Sequence, residues 1–374
     1  MHRRALAPLW LARPSRFADV QPRGGRIGVA LLALALLFAT ALALASPAPP
    51  AASGDPAKRA EDQADIVLYE TIVDNVRAGR DYYLAAADAQ RAGHYPLKPF
   101  VTMRLPTLAR VQAALPRTVV DGLLYLLCAA VMIAWWARLT SAFARPPPRL
   151  IALTLLAGGM MAFVQTDLAP FHEIWAGLLI ALSLGVWKPG RWLPAVAFGL
   201  AAALIRETAG LYLLLMGGIA LVERRPREAA GWAVAAAVLA IALLLHAHAV
   251  AGVVRPLDAA SPGWAGQLGP GFFVRTMALS TALAVAPLWL AAPLFALSLF
   301  GWAAWRDPLA VRVLALLAAY GIVLALFGRL DTFYWGLLIA PLSLVGIAFA
   351  VDGARDLLSA AIDTRRITVT RLIR

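Results

Sequence analysis

Long apolar runs separated by short polar stretches dominate this chain. Runs at 27–46, 118–137, 150–166, 171–187, 192–205, 208–222, 230–249, 281–304, 312–328 and 332–350 approach the ~20 residues that a helix needs to cross a bilayer. The pattern predicts an all-α integral membrane protein with about ten transmembrane helices. Residues 1–26 form a basic N-terminal segment, 27–350 the polytopic membrane domain, and 351–374 a basic tail. The stretch 192–222 reads either as one long tilted helix carrying Arg206 and Glu207 in its middle, or as a hairpin with those charges at its tip. Charge favours the hairpin. It keeps Lys188 and Arg191 on the same side as Arg224, Arg225 and Arg227, as the positive-inside rule requires.

The only substantial non-membrane segment lies between 48 and 117. It opens with a Pro/Ala-rich spacer, Pro47 to Ala52, and then turns periodic. Asp65, Tyr69, Ile72, Val73 and Val76 share one face at helical spacing, and Gly79 ends that helix. Glu70, Asp74 and Arg77 fall on the opposite face, the pattern of a solvated, ion-paired surface. Asp65 is therefore either a plain helix N-cap or an acid held at the upstream end of an apolar stripe against the membrane or bundle. A second short helix stops at Gly93-His94-Tyr95-Pro96. A third begins after Arg104-Leu105-Pro106, with Leu105, Leu108, Val111 and Leu115 as its apolar face. Two or three amphipathic surface helices are thus expected to cap one side of the bundle.

Composition agrees with the pattern. Of 374 residues 61% are hydrophobic and 15% charged, and the mean hydropathy is +0.73, too apolar for a soluble domain. The net charge of +13 does not call for a nucleic-acid partner, because basic residues in short loops beside spans serve topology. With the N-terminus in the cytoplasm, the inner segments hold the whole excess of positive charge and the exported segments are nearly balanced. Both termini then lie inside, and the 48–117 loop is exported. Ala43-Leu44-Ala45 before Ser46 resembles a signal-peptidase site, but the length of the apolar run favours a retained anchor. Cys128 is the only cysteine, so no intramolecular disulfide is possible. Few lysines beside many arginines and alanines suggest a bacterial source, with the inner membrane as location.

Several of these stretches resemble the GT-C superfamily of polytopic glycosyltransferases that use polyprenyl-phosphate sugar donors. They are DIVLYETIVDNVRAGRDYY with Asp65, YPLKPFVTMRLPTLA, FHEIWAGLLIALSL and LIRETAGLYLLL, in that order and on one predicted face. The resemblance implies sugar transfer by a single displacement, with an aspartate of the first exported loop, here Asp65, as base. Its partners would be a polyprenyl-phosphate-linked sugar, a glycan, lipid or protein acceptor, and membrane lipids. The chain is short for that superfamily and lacks an added soluble domain. No Asp-X-Asp pair occurs in the loop, so no cofactor and no divalent metal are expected.

Other ionisable residues fall on the same predicted face. His172 and Glu173 open a span; they read as interfacial anchors or, with Asp167 nearby, as a polar cluster. Such neighbours point apart on a helix, which argues against a shared metal. Arg206 and Glu207 either pair with each other or, since such charges must face the bundle or a wet cavity, leave Arg206 to clamp a lipid phosphate. Arg104 and Arg275 are further candidates for stabilising a leaving phosphate. Tyr69, His172, Glu173 and Glu207 form the supporting polar set. Asp121, early in the second span, is an orphan acid and a further candidate to face the same hollow. His246 and His248 read as interfacial residues, Arg329 and Asp331 as a simple pair, and Tyr334 and Trp335 as part of an aromatic belt. Glycine-rich phosphate loops, Cys/His zinc spacings and Gly-X-Ser-X-Gly elbows do not occur. Two other readings compete with sugar transfer: an inactive scaffold in envelope-glycan assembly, and a transporter or flippase. Midplane polar groups and repeated halves, which a transporter usually has, are not evident.

Overall fold

The computed structural model describes residues 7–48 and 64–362. Arg3, Arg4, most of the Pro47–Ala52 spacer and the tail from 363 lie outside them. Among the described residues the fold is all-helical, without strands. Four helices are long and apolar enough to cross a membrane: α1 (Pro22–Ala45), α5 (Arg117–Ala142), α10 (Pro226–Ala251) and α13 (Pro308–Phe327). A fifth crossing arises if the bent pair at the end of the chain is one span. The chain thus has the make-up of a multi-pass membrane protein.

The remaining apolar runs are shorter or interrupted, each for a local reason. The run at 150–166 becomes α6 (Pro146–Gly159) followed by 3₁₀ turns. The run at 281–304 is split. A short helix α11 (Gly269–Leu279) precedes a 3₁₀ turn, and α12 (Leu288–Ala304) starts only after Pro287. Ala286 before that proline is extended, as the clash with the proline ring demands. In the last run a 3₁₀ segment, Leu330–Leu338, meets the Ala340–Ala361 stretch at a bend of 64°, and the regular helix α14 (Gly346–Ala361) begins beyond Pro341.

The 192–222 hairpin is present. Helices α8 (Leu193–Ile205) and α9 (Gly210–Val222) flank a break at Arg206, whose backbone is extended. A Cβ on Gly199 would sit 3.0 Å from the Tyr212 ring, a contact that an unbroken helix could not bring about. At the centre stands α7 (His172–Val186), apolar on every face and buried along nearly its whole length, as such a helix must be. It packs on α5, α8 and the 330–338 segment. Gly177 allows the last contact, since a side chain there would strike the Leu337 carbonyl.

The bundle has two distinct ends. At one, helices α2 (Ala64–Arg77), α3 (Tyr82–Ala92) and α4 (Thr107–Ala114) form a cap with its own core around Leu68, Ile72, Tyr82 and Met103. Asp81 caps α3 by accepting from the backbone N–H groups of Tyr83 and Leu84, which satisfies donors that a helix start leaves open. The α10–α11 loop is strapped onto this cap: both Asp258 oxygens accept from Arg91 at 2.8 Å. At the other end, Asp352 on α14 accepts the backbone N–H groups of Leu9, Trp10 and Leu11 at 2.7–2.8 Å.

Candidate functional site

Beneath the cap lies a cavity of about 940 Å³, lined by α2, the 95–104 loop, the α8–α9 tip, α9, α10, α13 and the 329–335 segment. The amphipathic stripe of α2 forms one wall, since Asp65, Tyr69, Ile72 and Val73 all line it. Glu70 turns outward to Arg117 at 2.7 Å, and Asp74 pairs with Arg77. The two faces read from the periodicity are therefore distinct in the fold.

Asp65 lies within the first turn of its helix rather than ahead of it, so it is not the N-cap. Burial raises its carboxyl above the ordinary aspartate range, and a hydrogen bond from the Tyr95 hydroxyl and the charge of Arg104 pull the other way. Desolvation also pushes the Tyr69 and Tyr95 phenols up, as burial does to any group that becomes anionic. Tyr95 therefore stays a neutral donor to Asp65.

Arg104 is held by the cap. Its carbonyl accepts from the Tyr82 hydroxyl at 2.6 Å, its Nε donates to the Tyr69 hydroxyl at 3.2 Å, and its Nη1 donates to Glu207 at 3.1 Å. Arg206, 1% exposed, donates from Nε to Glu173 at 2.5 Å and from Nη1 to Glu207. The pairing of Arg206 with Glu207 is thus real, and Glu173 is a second partner. Arg206 and Glu207 both line the cavity, whereas Glu173 stands behind them. His172, 3% exposed, lines the cavity with neither ring nitrogen hydrogen-bonded, and its ring meets the Tyr69 ring edge-on at 4.9 Å. Glu207 Oε2, Thr208 Oγ1 and Trp335 Nε1 are likewise buried and unpartnered. Buried polar groups without partners are rare in proteins, and here four residues carrying them share one hollow.

Away from this charged end the cavity is apolar, with Leu211 and Leu214 of α9, Leu239 and Leu243 of α10, and Val323 and Phe327 of α13. Leu214 and Phe327 are exposed although they line it. The hollow therefore continues to the apolar flank.

Four expectations need correction. Arg275 does not line the cavity: its Nη1 donates to the Ser46 carbonyl at 2.5 Å, tying α11 to the end of α1. Asp167 is exposed and outside the hollow. Asp121 faces a separate, small pocket shared with Glu70 and Asp74. His246 is buried, with Nε2 3.1 Å from the Met103 carbonyl and Nδ1 3.3 Å from the Tyr83 hydroxyl; it pins the cap to α10 rather than sitting at an interface. Among the described residues no three His, Cys, Asp or Glu side chains converge as a metal-ligand set.

The sequence had not marked Tyr95, Tyr334, Trp335, Arg329 and Asp331 as members of the site, yet all line the cavity. Arg329 and Asp331 pair at 2.5 Å, as their spacing suggests. Comparison with protein-family models, curated proteins and solved structures finds no match for this chain.

Proposed function

We infer that the chain is a membrane glycosyltransferase of the GT-C kind, moving a sugar from a polyprenyl-phosphate carrier to an acceptor. In this reading the shorter apolar helices also cross the bilayer, giving about ten spans. The cap faces the exported side of a bacterial inner membrane, and both termini are cytoplasmic. One observation carries the proposal: a single cavity joins a partly buried carboxylate and two guanidiniums to an apolar slot reaching the bundle's flank. The slot suits a hydrocarbon tail and the charged end suits its phosphate.

The acceptor hydroxyl gives its proton to Asp65 as its oxygen bonds to the sugar's anomeric carbon. The bond from that carbon to the phosphate oxygen breaks, and the carrier leaves as polyprenyl phosphate. Raising a carboxyl's pKa by burial makes it a better base provided it stays ionised. Arg104 and Arg206 stabilise the charge gathering on the phosphate, a contribution commonly worth ~3–4 kcal/mol per donor. A transporter is less well supported, because the cavity's charged groups gather beneath the cap and the buried ion pairs of the opposite end border no part of it.

The test is transfer by purified protein supplied with a panel of polyprenyl-phosphate sugars, alongside Asp65→Asn. Turnover that depends on Asp65 supports the reading. Solute uptake without transfer would replace it with a transporter, and a protein inert toward the whole panel would favour a scaffold.

A further inference from the structure

Resting on that reading, the arrangement around the two arginines points to a built-in competitor for the donor phosphate. A single oxygen, Glu207 Oε1, accepts from both Arg104 and Arg206. Its sister oxygen Oε2 is buried without a partner, and the residue lines the cavity. Glu173 also has a buried, unpartnered Oε2, but it differs in placement. It is 0% exposed, reaches Arg206 from behind through Nε, and does not line the hollow. Arg206 therefore has an anchor at its back and a second acid at its front. An anionic oxygen bridging two guanidiniums from the cavity side is also what a bound phosphate would present.

We propose that Glu207 is an internal stand-in for the carrier phosphate: it occupies the arginines in the empty site, yields them when the phosphate arrives, and retakes them when the carrier leaves. No new bond is required, only a change of partner by Arg104 and Arg206. His172 and Thr208 line the same hollow with unpartnered polar atoms, and these offer the arriving or displaced oxygens hydrogen bonds. Glu207 then acts as a positioning residue that sets affinity and release, whereas Glu173 keeps Arg206 in place throughout.

The experiment measures binding of undecaprenyl phosphate, with the matching alcohol as control, to the intact protein in detergent by native mass spectrometry. Glu207→Gln is expected to bind the phosphate about tenfold more tightly than wild type, as removal of a close, competing charge pair allows. Glu207→Asp keeps the charge but shortens the reach, so it should tighten binding to a smaller degree and covers the case in which the glutamine variant fails to fold. Glu173→Gln is expected to weaken binding by freeing Arg206. Wild-type binding with no gain in either Glu207 variant, or an equal gain from Glu173→Gln, overturns the stand-in while leaving the transferase reading intact. Indifference of every form to phosphate over alcohol removes both. Under the proposal, Glu207→Gln also turns over more slowly at saturating donor while its KM falls, a split that loss of structure alone does not produce.

Discussion

The two ends of this bundle use the same residue types for opposite purposes. At the end away from the cap, Arg312 is 0% exposed and its guanidinium carbon lies over Trp187, 3.7 Å from the ring centroid. Its two terminal nitrogens donate to Glu223 at 2.9 and 2.6 Å, and the Trp187 indole donates to Glu228 at 2.7 Å. Arg138 donates to the Trp187 carbonyl. None of these side chains lines the large cavity. Beneath the cap, Arg104, Arg206, Glu173 and Glu207 are also paired, yet Arg104, Arg206 and Glu207 border about 940 Å³ of space. A buried charge cluster is therefore no sign of function by itself. Both clusters keep buried polar atoms without partners; the difference is that only the cluster beneath the cap adjoins space for a ligand.

Substitutions can break that contrast. The largest effect is expected from Asp65→Asn, which should lower transfer by about 10²–10⁴-fold, the usual weight of a general base, with little change in thermal unfolding. Next comes Arg312→Ala. It removes both bonds to Glu223 and one of the two cations near buried Glu228 and should cost up to about 3–5 kcal/mol of stability, seen as an earlier loss of monodisperse protein on heating. The fraction that stays folded should retain wild-type affinity for undecaprenyl phosphate. An affinity change there would mean that the two ends are coupled rather than separate.

Tyr95→Phe sharpens the comparison through pH. The Tyr95 hydroxyl stabilises the ionised form of Asp65 against burial, so its loss sends that carboxyl higher still. In the proposed role of Asp65 as base, which must be ionised to act, the acidic limb of the pH–rate profile should move to higher pH, and activity on its alkaline side should be little altered. The smallest effect is expected from Arg117→Ala. It breaks an exposed pair with Glu70 worth no more than about 1 kcal/mol, and neither turnover nor melting should shift measurably.

Much of this arrangement is legible along the chain. The stripe that places Asp65 with Tyr69 and Ile72 is a local, periodic signal, and so is the hairpin that lifts Arg206 and Glu207 to its tip. What escapes is the assignment of partners. Residues 138, 187, 223, 228 and 312 form one cluster although nothing in their spacing links them, because helix packing alone brings them together. Tyr334 and Trp335 illustrate the same limit. Aromatics near a helix end suit the membrane interface equally well, and only the 64° bend after Leu338 gives the segment that carries them its own course. Arg275 fails for the converse reason: it lies at the right end of the bundle but is spent on the Ser46 carbonyl.

The apolar slot between α9, α10 and α13 has a kinetic consequence. A ligand whose tail enters past Leu214 and Phe327 is met at a density set by its mole fraction in the surrounding film, not by its molarity in the tube. Adding empty micelles at fixed total substrate should then slow turnover, and concentrating the same substrate into fewer micelles should restore it.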